Sequence, residues 1–243
     1  MFIRIIMVIL LLLPLQTSAR PMVADLAMRA IDIDTSFTGM DILLFGARND
    51  AGDIVVVVRG PEKDYKVMKK ERIGGVWVNS QSEEFKNVYS FYSVASSKPL
   101  SNIKNEHLLS SIGIGLDKRN WLAEKKDRLE VGDEFSDALL KEKQRRNLYP
   151  KEPQEVTFWG ETLFRTTLQF PENISGGTYI AEIYLINGNQ VTSMQTTPIY
   201  VKKIGFEAFL HDLAYEWPFV YGVLCMFIAM LAGWAVSMIF QRS

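Results

Sequence analysis

The run WPFVYGVLCMFIAMLAGWAVSMIF, Trp217 to Phe240, holds 24 residues without one charged side chain. As a helix it rises about 36 Å, enough to cross a hydrocarbon core of roughly 30 Å with some tilt. A helix buried in a soluble core is rarely apolar on every face for so long. Trp217 and Tyr221 fall where amphipathic rings sit at a membrane interface. The run reads as a transmembrane helix, and the rest of the chain must fold on one side of it or the other.

The opposite end sets which side. Behind Arg4 runs IIMVILLLLPL, Ile5 to Leu15, followed by the small residues Thr17, Ser18 and Ala19. That layout is a secretory signal peptide, residues 1–19, cut after Ala19. An uncleaved anchor would need about 20 apolar residues, and the run falls short. A cleaved signal and a late anchor leave residues 20–216 outside the cytoplasm and a short tail, residues 241–243, inside. Lys202 and Lys203 on the outer side against Arg242 on the inner do not follow the positive-inside bias, but exported domains translocate largely regardless of a few charges.

Between the two apolar ends lies most of the charge, 27 basic and 28 acidic side chains over the 243-residue chain with a formal net charge of −1. That balance gives no global field for nucleic acid or an anionic surface. The one cysteine, Cys225, lies inside the membrane run. The exported domain, residues 20–204, therefore carries neither disulfide nor thiol chemistry, and at that length it buries enough apolar surface without staples.

Strand patterning dominates both ends of this domain. Phe37–Gly46 and Asp53–Arg59, joined by the turn residues Asn49 to Gly52, read as a hairpin, and the unbroken Ile54–Val58 run reads as a central strand covered on both faces. Tyr65–Arg72, Val76–Asn79 and Phe85–Ala95 follow as shorter strands. From about residue 99 to 153 the composition turns charged and helical. Asp133–Asn147 opens with acids and closes with Lys141, Lys143, Arg145 and Arg146, the order that suits a helix dipole, and its basic end reads as a solvated face.

In LFRTTLQF, Phe164, Thr166, Leu168 and Phe170 share one face of a half-buried strand. Pro171 to Gly177 breaks the ladder, Tyr179, Ala181, Ile183 and Leu185 align on the next strand, and Asn187–Gly188 signals a type I′ hairpin. A strand, a glycine-rich corner and a tyrosine opening the next strand match the end of an immunoglobulin-like sandwich, with Tyr179 as the corner tyrosine. The expected fold is mainly β: an immunoglobulin-like β-sandwich with a helical insertion and one C-terminal transmembrane helix.

Chemistry is hard to find. His107 and His211 lie far apart without neighbouring ligands at metal-site spacing, and no nucleophile-elbow, phosphate-loop or dinucleotide fingerprint occurs. Asp32 with Asp34, and Glu83 with Glu84, read as solvated acids. No catalytic residue, cofactor or metal is expected. Arg59, Lys70, Arg72 and Trp77 form a candidate partner surface, although Trp77 in an alternating V-W-V strand reads better as core. Cys225, Ala229, Gly233 and Ser237 put four small side chains on one helix face, the device by which membrane helices pack closely. Ahead of the span, residues 205–216 read as an amphipathic collar.

The segments RGP at Arg59–Pro61, GGVWVN, LFRTTLQFP, GGTY with YLINGNQV, and the YG and GW pairs of the membrane run resemble a family of alpha-proteobacterial transmembrane proteins. The resemblance implies a signal peptide, a periplasmic domain and a single span in the bacterial inner membrane. It implies no established activity, and an association with exporters of sulfite-like anions. The expected function is a membrane-anchored periplasmic accessory or binding module. Its expected partners are the lipid bilayer and another integral membrane protein, such as a transporter, or a second copy through the helix; nucleic acid is not expected. The alternatives are a periplasmic enzyme using carboxylates and a solute-binding domain.

Overall fold

Alternating burial organises the domain. A computed structural model describes residues 22–103, 106–115, 133–205, 210 and 213–240. The expected signal peptide, part of the 99–153 insertion, half of the juxtamembrane collar and the tail fall outside the described residues.

One sheet of four strands runs in the order β1 (Met22–Leu26), β3 (Met40–Arg48), β10 (Leu163–Phe170) and β9 (Thr157–Trp159). In β10 every second residue is buried, so Phe164, Thr166, Leu168 and Phe170 face the core while Leu163, Arg165, Thr167 and Gln169 face out. A second sheet of six strands runs β2 (Ala30–Ile33), β12 (Gln190–Lys203), β11 (Gly177–Asn187), β4 (Asp53–Arg59), β7 (Tyr92–Ser96) and β8 (Gln154–Glu155). The chain crosses between sheets from β1 to β2, and β2 then pairs parallel with β12. Rings from both sheets meet in the shared core. Phe170 packs edge-on to Tyr179 with centroids 5.8 Å apart, and Phe91 stacks on Phe170 at 5.2 Å. The fold is a two-sheet β-sandwich with a C-terminal helix.

The Ile54–Val58 run is buried on both faces, as its unbroken apolar pattern requires. The expected pairing of Phe37–Gly46 with it does not occur. The first segment, β3, pairs with β1 and β10 in one sheet, and β4 pairs with β11 and β7 in the other. The reason lies in the competing partners: β11 and β7 occupy both edges of β4 and bury it centrally, while β1 and β10 occupy both edges of β3. The Asn49–Gly52 corner thus carries the chain across the sandwich.

What covers the outer face of β4 is the insertion. Helix α1 (Glu106–Ser111), helix α2 (Asp133–Arg145) and the chain after it place Ile103, Leu109, Ile114, Leu139, Leu148 and Tyr149 in the core. Arg59 secures this cover. Its guanidinium pairs with the Glu182 carboxylate and donates to the carbonyls of Ile112 at 3.0 Å and Gly113 at 3.1 Å. Tyr92 adds a second clasp, its hydroxyl donating to Gly113 and accepting from the Gly115 amide.

Outside both sheets stands a long hairpin, β5 (Glu62–Ile73) with β6 (Val76–Tyr89), turning at Gly74 and Gly75 with φ +60° and +89°. The three short strands expected here are two long ones plus β7. At the other tight turn Asn187 pairs with Gln190, so the loop is Gly188–Asn189, with positive φ at Gly188 only. That matches a type II′ turn, one residue later than the expected type I′ pair.

Helix α3 (Pro218–Phe240) holds the apolar run, with a mean hydropathy of 2.2 over Pro218–Met238 and none of it buried. Pro218 opens it, where a missing N–H costs nothing.

Candidate functional site

The β-strand register defines one end of the sandwich. Ile180 faces Arg59 on one side and Pro198 on the other, and Arg59 in turn faces Tyr92. These residues share the end at which β12 runs out toward the membrane helix. The corner of β10 and β11 lies here as well. The Tyr179 hydroxyl donates to the Ser175 carbonyl at 2.7 Å and accepts from the Ser175 amide at 3.1 Å.

Beside that corner opens a cavity of about 510 Å³ between β5, α2 and the β10–β11 loop. Lys63, Lys66, Lys143 and Arg146 bring four cationic groups to its lining, with Asn173 and Ser175 as polar neighbours and Val67, Met68, Leu139 and Leu148 as the apolar wall. Lys143 is 2% exposed. Its amine donates to the carbonyls of Tyr89 at 3.4 Å and Ser90 at 3.2 Å and lies 3.8 Å from the Tyr65 ring centroid. Burial, with Lys63 and Arg146 nearby, pushes this amine from an ordinary 10.5 down to about 7. Glu142, the one carboxylate in the lining, is committed to Arg145 and Arg146, which hold it near 2. Among the described residues no carboxylate pairs with Lys63, Lys66 or Lys143.

The basic end of α2 was expected to be solvated, and for Lys143 the structure reverses this. Ser136, Leu139 and Lys143 are spaced as one helix face, and all three are buried. That spacing was the available signal: a lysine in register with a core leucine.

A second feature is an apolar row on the outer face of the four-stranded sheet. Val23, Ala47, Leu163 and Trp159 lie side by side across β1, β3, β10 and β9, with Phe45 and Leu43 behind them along β3. Val23, Leu43, Phe45, Trp159 and Leu163 are between 41% and 72% exposed, around a shallow groove of about 450 Å³. Only Asp25 and Arg165, flanking Phe45, bring charge to it. The apolar side chains here are contiguous across the strands, unlike the singly scattered exposure normal to any protein.

The expected partner surface separates into two places. Lys70, Arg72 and Trp77 lie together at the β5–β6 tip, with Arg72 opposite Trp77. Trp77 is 66% exposed, which overturns its reading as core: among the described residues no second layer covers the hairpin tip, so its alternation has no inside. Arg59 is elsewhere. Its side chain is 11% exposed in the pair with Glu182, so it belongs to the fastening of the insertion. Burial is the largest influence and works against the Arg59 charge, but Glu182 together with Tyr92, Tyr184 and Tyr89 outweighs it and holds the guanidinium above its ordinary value. Cys225, Ala229, Gly233 and Ser237 lie along one side of α3, with open space around Gly233.

Asp32, Asp34, Glu83, Glu84 and His107 do not converge, and no group of three potential metal ligands occurs among the described residues. A family model described as "Putative transmembrane protein (Alph_Pro_TM)" matches residues 21–242, nearly the whole chain. The chain belongs to this family. The family's description agrees with α3, the one helix among the described residues long and apolar enough to cross a membrane, and supports a membrane-anchored protein. No curated protein matches. Among solved structures, one similar chain comes from work described as "Structural basis of T cell specificity and activation by the bacterial superantigen toxic shock syndrome toxin-1", at 6% identity and a TM-score of 0.26, covering 75% of this chain and 99% of that one. Another is the bacterial hydrophobin BslA, at 11% identity and a TM-score of 0.24, covering 76% and 95%. Neither score supports an inference about fold or function.

Proposed function

We propose that this family member is a membrane-anchored accessory module that docks against another integral membrane protein, its sandwich lying in the periplasm of a bacterial cell and its helix in the inner membrane. The observation that carries this reading is the row Val23, Leu163 and Trp159 with Phe45. Apolar side chains spread across all four strands of an outer sheet face gain by being covered, and a tethered domain meets neighbouring membrane proteins at high effective concentration. The small-residue face at Cys225, Ala229, Gly233 and Ser237 offers a second contact inside the bilayer, where close backbone approach replaces hydrophobic drive. An exporter of sulfite-like anions is the partner suggested by the family resemblance.

The test is purification of the full chain from native membranes in mild detergent, with co-purifying proteins quantified by mass spectrometry. Wild type is compared with Phe45→Thr/Leu163→Thr, which keeps strand propensity while removing the apolar row, and with Gly233→Ile. A membrane protein retained by wild type and depleted in the sheet variant supports docking through the row. Equal recovery in both would remove the row from the interface, and a chain that comes out alone would end the accessory reading.

A further inference from the structure

The cavity beside Tyr179 carries an inference separate from the docking surface. Three lysines and one arginine line a space large enough for a drug-sized molecule. Among the described residues, the only carboxylate there is already held by Arg145 and Arg146. Lys143 is almost fully buried, yet among the described residues its amine meets only backbone carbonyls, the ring faces of Tyr65 and Tyr149, and the like charges of Lys63 and Arg146. The Ser175 hydroxyl is buried with no hydrogen-bond partner among the described residues, and Ser175 lines the same cavity. Val67, Met68, Leu139 and Leu148 supply the apolar part of the lining.

A buried amine among like charges is costly unless something neutralises it. We propose that this cavity binds an amphipathic oxyanion: a phosphate-type head held by Lys143, Lys63 and the Ser175 hydroxyl, with Lys66 and Arg146 at the rim and an apolar body against Leu139 and Leu148. Two sources share this chemistry. One is the headgroup of an anionic lipid, close at hand because the cavity lies at the end of the sandwich from which the chain runs to its membrane helix. The other is a soluble organic anion.

Charge balance fixes a signature. Among the described residues, every group facing the Lys143 amine is neutral or cationic: Tyr65 and Tyr149 as ring faces, the Tyr89 and Ser90 carbonyls, and Lys63 and Arg146 as charges. An arriving anion restores the proton that burial discourages, so binding above neutral pH takes up a proton from solvent.

The experiment uses the full chain in uncharged maltoside micelles at pH 8, titrated with octyl phosphate, with octanol as the uncharged control, in buffers of different ionisation enthalpy. The expected result is saturable binding of octyl phosphate but not octanol, with a heat that depends on the buffer. Lys143→Gln is expected to abolish the buffer dependence, and both it and Lys63→Gln to weaken binding about tenfold or more. Lys63 is on the exposed hairpin, so its variant remains informative if Lys143→Gln perturbs folding. Competition by phosphatidylglycerol added to the micelles assigns the lipid source, and competition by inorganic phosphate or a short-chain carboxylate without it assigns the soluble one. No binding of octyl phosphate, equal binding of octanol, or unchanged affinity in both lysine variants would overturn the proposal.

Discussion

The Tyr179 hydroxyl closes a two-way bond with Ser175, giving a proton to its carbonyl at 2.7 Å and taking one from its amide at 3.1 Å. The bond ties the start of β11 to the loop that leaves β10, while the ring packs against Phe91 and Phe170. Tyr179→Phe keeps the ring and leaves both Ser175 backbone groups without that partner. It is expected to destabilise the domain by about 1–3 kcal/mol, read from the denaturation midpoint of the full chain in detergent. A change below a few tenths would show that the loop holds itself.

Arg59 and Glu182 form a nearly buried pair, with side chains 11% and 18% exposed. The Tyr184 hydroxyl also donates to Glu182 at 2.7 Å. Removing one partner strands the other charge, so Arg59→Met is expected to cost about 3–5 kcal/mol. Adding Glu182→Leu is expected to recover a large part of the loss. Because Arg59 also holds the Ile112 and Gly113 carbonyls, the single variant should become sensitive to proteolysis near those residues. Additive effects of the two substitutions would disprove the coupling.

The Lys143 amine makes stability depend on pH in a defined window. Its folded value of about 7 lies below the unfolded 10.5. Between these values the unfolded chain binds the extra proton, so stability rises with pH by up to about 1.4 kcal/mol per unit. Burial raises Tyr149 and Tyr179, and such tyrosines reverse the trend above about pH 10, where unfolded tyrosine ionises. Thermal scans from pH 7 to 9.5 should show Tm climbing in wild type and a flatter profile in Lys143→Met. A Tm that falls over this range in wild type contradicts the assignment.

Gly46 faces Phe164 across the β3–β10 ladder, and a Cβ there would lie 2.4 Å from the ring's Cζ and 2.6 Å from the Val23 carbonyl oxygen. The ring can rotate away, but the backbone of β1 cannot. Gly46→Ala is expected to cost about 1–3 kcal/mol despite its better strand propensity. The companion change Phe164→Leu should relieve part of this cost, measured as non-additivity in the double variant.

Local periodicity was a good guide wherever one strand face is dry and the other wet. In β10 the alternation from Leu163 to Phe170 reads straight into burial, and the Ile54–Val58 run reads as a strand covered twice. Pairing was less legible. Nothing within Phe37–Arg59 says that β3 and β4 enter different sheets, because that depends on β10 and β11, over a hundred residues later. Trp77 shows the converse limit: V-W-V alternates, but alternation implies an inside only where a second layer exists. The cationic cavity assembles Lys63, Lys143 and Ser175 from three separate segments, and only the helical spacing of Leu139 and Lys143 hinted at it.

The parallel seam between β2 and β12 joins Ala30 to Tyr200, and the Ala24 amide reaches the Gln195 side chain across 171 positions of sequence. The first strands to be synthesised therefore wait for almost the last. Until β12 emerges, β2 and the flank of β11 remain open edges, and such edges recruit foreign strands. Long-range closure of this kind is also slow. The apolar helix follows β12 closely in the chain, so completion of the sandwich and arrival of its anchor fall at nearly the same moment of biosynthesis. Anchoring thus coincides with the most vulnerable stage of folding and keeps half-closed molecules dispersed over a surface, away from collisions in free solution.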